Sequence, residues 1–167
     1  DLVCWGANGD GQLGLGNTST SGVWEPTTVN VGSGLTTISV AVGNAATCAL
    51  LSDHSVKCWG KNNVGQLGLG NSSSNDVLTP HAVSFSGSSN PISLHAGRNE
   101  FCAQLNNGSA ACWGENAEGQ FGLGNTTSQT SPISLTLPTE RTVASMSVSK
   151  DFMCMALDNG SIVCAGR

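Results

Sequence analysis

The sequence predicts an all-β repeat protein, and three observations carry that prediction. One phrase is written three times: "CWGANGDGQLGLGN" from Cys4, "CWGKNNVGQLGLGN" from Cys58 and "CWGENAEGQFGLGN" from Cys112. Trp5, Trp59 and Trp113 are 54 residues apart each time, while Cys48, Cys102 and Cys154 follow one another at 54 and 52. A period near 50 residues marks a propeller, a solenoid or an array, in which each unit buries its faces against its neighbours. Short stretches such as "TTISVAVG", "TCALL" and "SVKCWG" alternate apolar and polar residues in strand fashion. Finally, six of the seven cysteines form C-x9-C pairs on either side of a turn.

Taken in order, the repeats run over about 4–57, 58–111 and 112–163, with 161–167 opening a further one. The leading "LVCWG" has the phase of "SVKCWG" and "SIVCAG", so the chain covers three periods plus an overlapping strand and starts in mid-hairpin. After each Trp comes the glycine-rich "GQLGLG" or "GQFGLG", where close backbone approach and positive φ are expected. "EPTTVNV" then supplies an outer strand, followed by "TTISVAVG" and the first strand of a cysteine hairpin. Setting Cys102 opposite Cys112 leaves Leu105 facing Ser109 across the loop Asn106-Asn107-Gly108, and the last hairpin gives Asp158-Asn159-Gly160. A three-residue hairpin loop wants a type I turn followed by a residue at positive φ, and Gly holds that third place twice. His54 holds it in the remaining loop, and His is one of the side chains enriched at positive φ.

The same count places the paired cysteines directly opposite one another at the closer, non-hydrogen-bonded kind of antiparallel pair, which a disulfide can bridge. Disulfides Cys48–Cys58, Cys102–Cys112 and Cys154–Cys164 are therefore expected, and with them an oxidising, extracellular setting. Reduced cysteines acting as small core side chains are the competing reading, but it leaves three pairs at one register unexplained. Zinc is a poor rival, because there is no C-x2-C and the three His are scattered. Cys4 has the phase of a second hairpin cysteine whose mate would precede Asp1. The expectation is that a longer chain carries that mate, or that a neighbouring copy supplies it head to tail, as in a fibre.

Composition narrows the function. Only 10% of residues are charged, against roughly 25% in an ordinary soluble chain, and the net charge of −5 is spread out. No Lys/Arg cluster gives a nucleic-acid footprint, and no apolar run of membrane-spanning length occurs. Carboxylates and His gather around no nucleophile motif, and "GQLGLG" lacks both the strand-loop-helix setting and the Lys of a phosphate loop. No enzyme activity, metal or cofactor is expected.

"TCALLSDHSVKCWGKNNVGQLGLGN", with W-G-x-N-x-x-G-Q-[LF]-G-x-G at three fixed intervals, resembles the RCC1 repeat (regulator of chromosome condensation type) across essentially the whole chain. The resemblance implies a β-propeller of four-stranded blades, usually seven, of which about three are represented here. The cysteine-bearing form is similar to repeats of secreted and surface proteins. Trp5, Trp59 and Trp113, with Leu13, Leu67 and Phe121, are expected as packing between blades. Departures matter too. The family's His in G-x-x-H-[ST] is replaced by Ala46, Glu100 and Phe152, and Ala165 stands where the next motif Trp belongs. The uniform spacing leaves no room for the wedge of the family's exchange factor, so a small GTPase partner is not expected. "GNAAT", "GRNEF" and "SKDFM" likewise lack the Trp/Arg cluster of the family's ultraviolet receptor.

What recurs beside the core is Asn-x-[ST]: Asn17, Asn71 and Asn125 each follow "GLG", and Asn107 and Asn159 sit on hairpin tips. Asn suits turns in any protein, but all five lie where a glycosyltransferase could reach, so N-linked glycans are expected. The sequence thus reads as a non-catalytic extracellular structural or adhesive module, whose partners are other protein chains or copies of itself. The alternative is a secreted inhibitor or receptor module gripping one protein through a propeller face.

Overall fold

Alternation of apolar and polar residues produces strands throughout. The computed structural model describes residues 1–167 and contains thirteen strands and no helix. Two sheets have four strands. One joins β3 (Thr37–Val42), β4 (Ala46–Leu51), β5 (Val56–Asn62) and β6 (Ser73–Val83) in sequence order. The other joins β7 (Pro91–Ala96), β8 (Glu100–Leu105), β9 (Ala110–Gly114) and β10 (Gln129–Ser134). Before them β1 (Leu2–Asn8) pairs with β2 (Ser19–Val29), and after them come β11 (Val143–Val148), β12 (Phe152–Leu157) and β13 (Ile162–Gly166). All neighbouring pairs are antiparallel. The repeated phrase starts on the third strand of a sheet, so each sheet straddles two sequence repeats.

The hairpins close as their turn residues dictate. Leu51, Leu105 and Leu157 each donate N–H to the carbonyl of Ser55, Ser109 and Ser161 at 2.9 Å. His54, Gly108 and Gly160 hold φ of +66°, +82° and +82°, which lets the backbone reverse within three residues. Cys48 faces Cys58, Cys102 faces Cys112 and Cys154 faces Cys164. Each pair is disulfide-bonded with Cα atoms 4.1 Å apart, the spacing of a non-hydrogen-bonded antiparallel pair.

The sheets stack face to face, and the core lies between them. β4 is buried along its whole length, as is β9. One cluster joins Cys48, Leu50, Val56 and Leu67 of one sheet to Phe101, Leu105 and Trp113 of the next. Trp59 and Trp113 are fully buried, and Leu13, Leu67 and Phe121 are buried as well, Leu67 in the cluster that holds Trp113. Trp5 departs from expectation. It is 58% exposed, because no sheet packs on the face of β1 that carries it, whereas β1 and β2 themselves cover Trp59.

Glycine makes this stacking possible. A Cβ on Gly14 would sit 2.7 Å from the Trp59 indole nitrogen, and one on Gly68 would sit 2.8 Å from the Trp113 ring. Both residues also hold φ near +70°. Gly68→Ala should therefore cost roughly 2–4 kcal/mol, from overpacking plus left-handed strain. Gly34 has φ +74° but open space around it, so Gly34→Ala should cost only about 1 kcal/mol. Urea denaturation of the two variants separates packing from backbone strain; equal losses would exclude a packing role for Gly68.

Candidate functional site

Exposed residues lie in the loops at the two ends of each sheet, on the open face of β1 and on strands such as β2. The loop after the third strand is organised by a side chain that the sequence reading passed over. Asn8 is buried; its Oδ1 accepts the Leu13 N–H at 3.1 Å, and its Nδ2 donates to both oxygens of Asn17 at 3.0 Å. Asn62 repeats this with Leu67 and Asn71. Asn116 repeats it with Phe121 and the Asn125 carbonyl. Gln12, Gln66 and Gln120 brace the same loops by accepting the N–H of Asp10, Val64 and Glu118 at 2.9–3.0 Å. The signal was present in the motif as an Asn and a Gln at fixed phase. Polar residues in a glycine-rich loop read as solvated, yet here they serve as the loop's internal hydrogen-bonding frame.

Asn17, Asn71 and Asn125 are exposed at this end of the sheets, and Asn107 and Asn159 are exposed at the opposite, hairpin end. In Asn107 and Asn159 the side-chain oxygen accepts the N–H and hydroxyl of Ser109 and Ser161 at 2.7–3.0 Å. Asn17 and Asn71 likewise use only their oxygen. Asn125 differs, because its Nδ2 donates to the Leu123 carbonyl at 3.3 Å.

The open face of β1 forms an apolar groove of about 460 Å³ lined by Val3, Trp5, Leu13, Val40 and Val42, among others. Cys4 lies in it as a half-buried free thiol, its pKa pushed up by burial. The thiolate fraction, and with it the nucleophilicity, is correspondingly low. On β2, Trp24 is 84% exposed.

Glu100, in the slot where Ala46 and Phe152 stand in the neighbouring sheets, is fully buried at the junction between the β7–β10 sheet and the β11–β13 sheet. Its Oε2 accepts the Asn99 N–H at 2.8 Å, while Oε1 has no partner. Oε1 and the Ser149 carbonyl both lie against Gly97. Burial pushes the carboxyl up to about 7, against the pull of the Asn99 and Arg98 N–H groups and with a further push from Glu115 and Asp151. A polar cleft of about 180 Å³ beside it is lined by Arg98, Glu115, Glu118, Lys150 and Asp151. No three of the chain's His, Cys, Asp and Glu side chains come together in an arrangement that could hold a metal ion. No helix is long and apolar enough to cross a membrane.

This geometry matches known proteins. The profile described as "Regulator of chromosome condensation (RCC1) repeat" matches residues 2–50, 53–103 and 107–156, and a second profile with the same description matches 38–66. The chain is 38% identical over 136 residues to the X-linked retinitis pigmentosa GTPase regulator of Canis lupus familiaris; the match covers 81% of this chain and 13% of that protein. Among solved structures it is similar to human WBSCR16, with a TM-score of 0.82 and 21% identity over 98% of this chain and 42% of the other. It is also similar to Prp20p of Saccharomyces cerevisiae, with a TM-score of 0.78 and 19% identity over 99% of this chain and 39% of the other. The chain thus spans less than half of each of these three proteins. Three profile matches in tandem, sheets of up to four antiparallel strands and a loop frame repeated at each phrase place the chain in the family of RCC1-repeat proteins, with the fold of RCC1-like β-propeller blades.

Proposed function

We propose that this chain is a non-catalytic extracellular repeat module that displays its blade loops to other protein chains, as a structural or adhesive part of a surface or fibrous assembly. The observation that carries this reading is the set of three disulfides at one register, one in each cysteine hairpin, since such staples persist in oxidising compartments. N-linked glycans on the exposed loop asparagines complete the proposal. The four whose Nδ2 is free of a protein partner, Asn17, Asn71, Asn107 and Asn159, are the preferred sites, ahead of Asn125. Secretion of the chain from a eukaryotic cell, followed by mass mapping with and without glycosidase, tests this. Glycan mass at some of these asparagines together with three intra-hairpin disulfides is expected. Free thiols, or bare asparagines at all five positions in secreted material, would overturn it.

One observation favours a second reading, a secreted inhibitor or receptor module gripping a protein partner: Trp5 and Trp24 are both exposed. Exposed aromatic side chains of this size are common anchors of protein interfaces. The GTPase regulator to which the chain is similar makes a GTPase one candidate for that partner. Loss of capture of a purified partner on Trp24→Ala and Trp5→Ala would support this reading over the first.

A further inference from the structure

The third junction between sheets lacks the residue that fills the other two. Trp59 packs on Gly14 and Trp113 packs on Gly68, both indoles fully buried. At the next junction Gly122 is in place, but the residue 52 positions after Trp113 is Ala165, whose Cβ lies 3.2 Å from where a Cβ on Gly122 would stand. Both line a cavity of about 390 Å³, walled also by Phe121, Leu135, Leu137, Met153, Met155 and Val163. That size falls within the roughly 300–1,000 Å³ of small-molecule sites. Larger residues take over part of the missing volume: Met155 stands where Ala103 does, and Val163 where Ala111 does. They do not close the space.

We propose that this cavity is a binding site for one aromatic side chain, the indole of a tryptophan presented by a partner protein. The chain itself shows what shape belongs there, because the two earlier junctions hold an indole in the same place against the same glycine. The walls suit it. Met153 and Met155 bring thioethers, which pack favourably on aromatic rings and adjust to them. The first junction also shows a polar handle, the Gln12 carbonyl accepting the Trp59 indole N–H at 2.9 Å; at the second junction the buried Trp113 indole sits without one, so shape and apolar contact are what the site offers. The partner's tryptophan would complete a junction that the sequence leaves open at one residue.

The test uses the 167-residue chain with methyl-labelled methionine, titrated with indole and with N-acetyltryptophanamide. Saturable shifts at Met153 and Met155 are expected. Ala165→Trp fills the site from within, so it should weaken both probes by roughly tenfold or more and raise the melting temperature. Ala165→Leu, a smaller filling, should give the same loss of binding should the Trp variant fail to fold. Absence of saturable shifts in the unaltered chain, or unchanged affinity in a folded filled variant, would overturn the proposal.

Discussion

Trp113→Ala is expected to destabilise the chain by about 3–5 kcal/mol, whereas Trp5→Ala, the same substitution in the same motif, should cost less than about 1 kcal/mol. The difference follows from what each indole touches. Trp113 is fully buried, edge-on to Phe85 at 5.6 Å and stacked with Phe101 at 6.2 Å, with Gly68 against its ring. Removing it loses the transfer energy of the side chain and leaves a cavity that two sheets must close. Trp5 is 58% exposed, so most of its surface already meets water. Replacement by Phe makes a finer contrast. Trp59 donates its indole N–H to the Gln12 carbonyl, while the Trp113 N–H is buried without a partner. Trp113→Phe should therefore cost less than Trp59→Phe, since it removes an unsatisfied donor rather than a made bond. Urea denaturation of the four variants checks the order; equal losses for Trp5→Ala and Trp113→Ala would contradict the burial of one and the exposure of the other.

Glu100 should make stability depend on pH. Its folded-state carboxyl is raised to about 7 from an ordinary 4.5, so the folded chain holds this proton more tightly than the unfolded chain does. The contribution is full below about pH 4.5 and is lost as pH rises through about 7. Its size is on the order of 3 kcal/mol at the alkaline end. The groups around it do not rescue the charge. Glu115 and Asp151 repel it, and the Arg98 and Lys150 side chains lie along the polar cleft that opens to solvent. Glu100→Gln reproduces the protonated shape: its amide oxygen can accept the Asn99 N–H and its amide nitrogen can donate on the side of the Ser149 carbonyl. The variant should match the parent at about pH 4 and exceed it at pH 8–9 by about 2–3 kcal/mol. Unfolding midpoints from about pH 4 to 9 read this directly. A parent curve as flat as the variant's would rule out a buried titrating carboxyl at this position.

The sequence carried different parts of this molecule with different clarity. Hairpins were readable because turn chemistry is local: Gly108, Gly160 and even His54 announce positive φ by residue type, and the register of the cysteines follows by counting. The glycine-rich links were readable as close approaches, though not as seats for the next sheet's tryptophan, because that contact joins residues such as Gly68 and Trp113 across 45 positions. Trp5 was misread for a related reason. A repeat motif states what a residue does when a neighbour is present, and burial depends on that neighbour. Glu100 was visible only as a departure from the repeat. Whether a carboxylate in that slot meets water or a carbonyl is decided by the adjacent sheet, at Ser149, and no local pattern contains it. Asn8, Asn62 and Asn116 stood in plain view in the phrase, but their polar character concealed that they are buried.

Each disulfide joins neighbouring strands of a single hairpin, with a sequence separation of 10. Successive sheets are joined by the main chain, by packing and by hydrogen bonds such as that from the Trp59 indole to the Gln12 carbonyl, but by no disulfide. Under tension applied along the polypeptide, the sheets can be peeled apart one at a time, since no covalent tie crosses between them. What cannot be drawn out is the loop behind each sulfur bridge, roughly 30 Å of contour per hairpin. The bridges therefore act as stops that shorten the extended length without raising the force at which the first sheet detaches. A reductant would lengthen a stretched chain by nearly 100 Å in three equal steps, leaving its resting shape governed by the same stacked indoles.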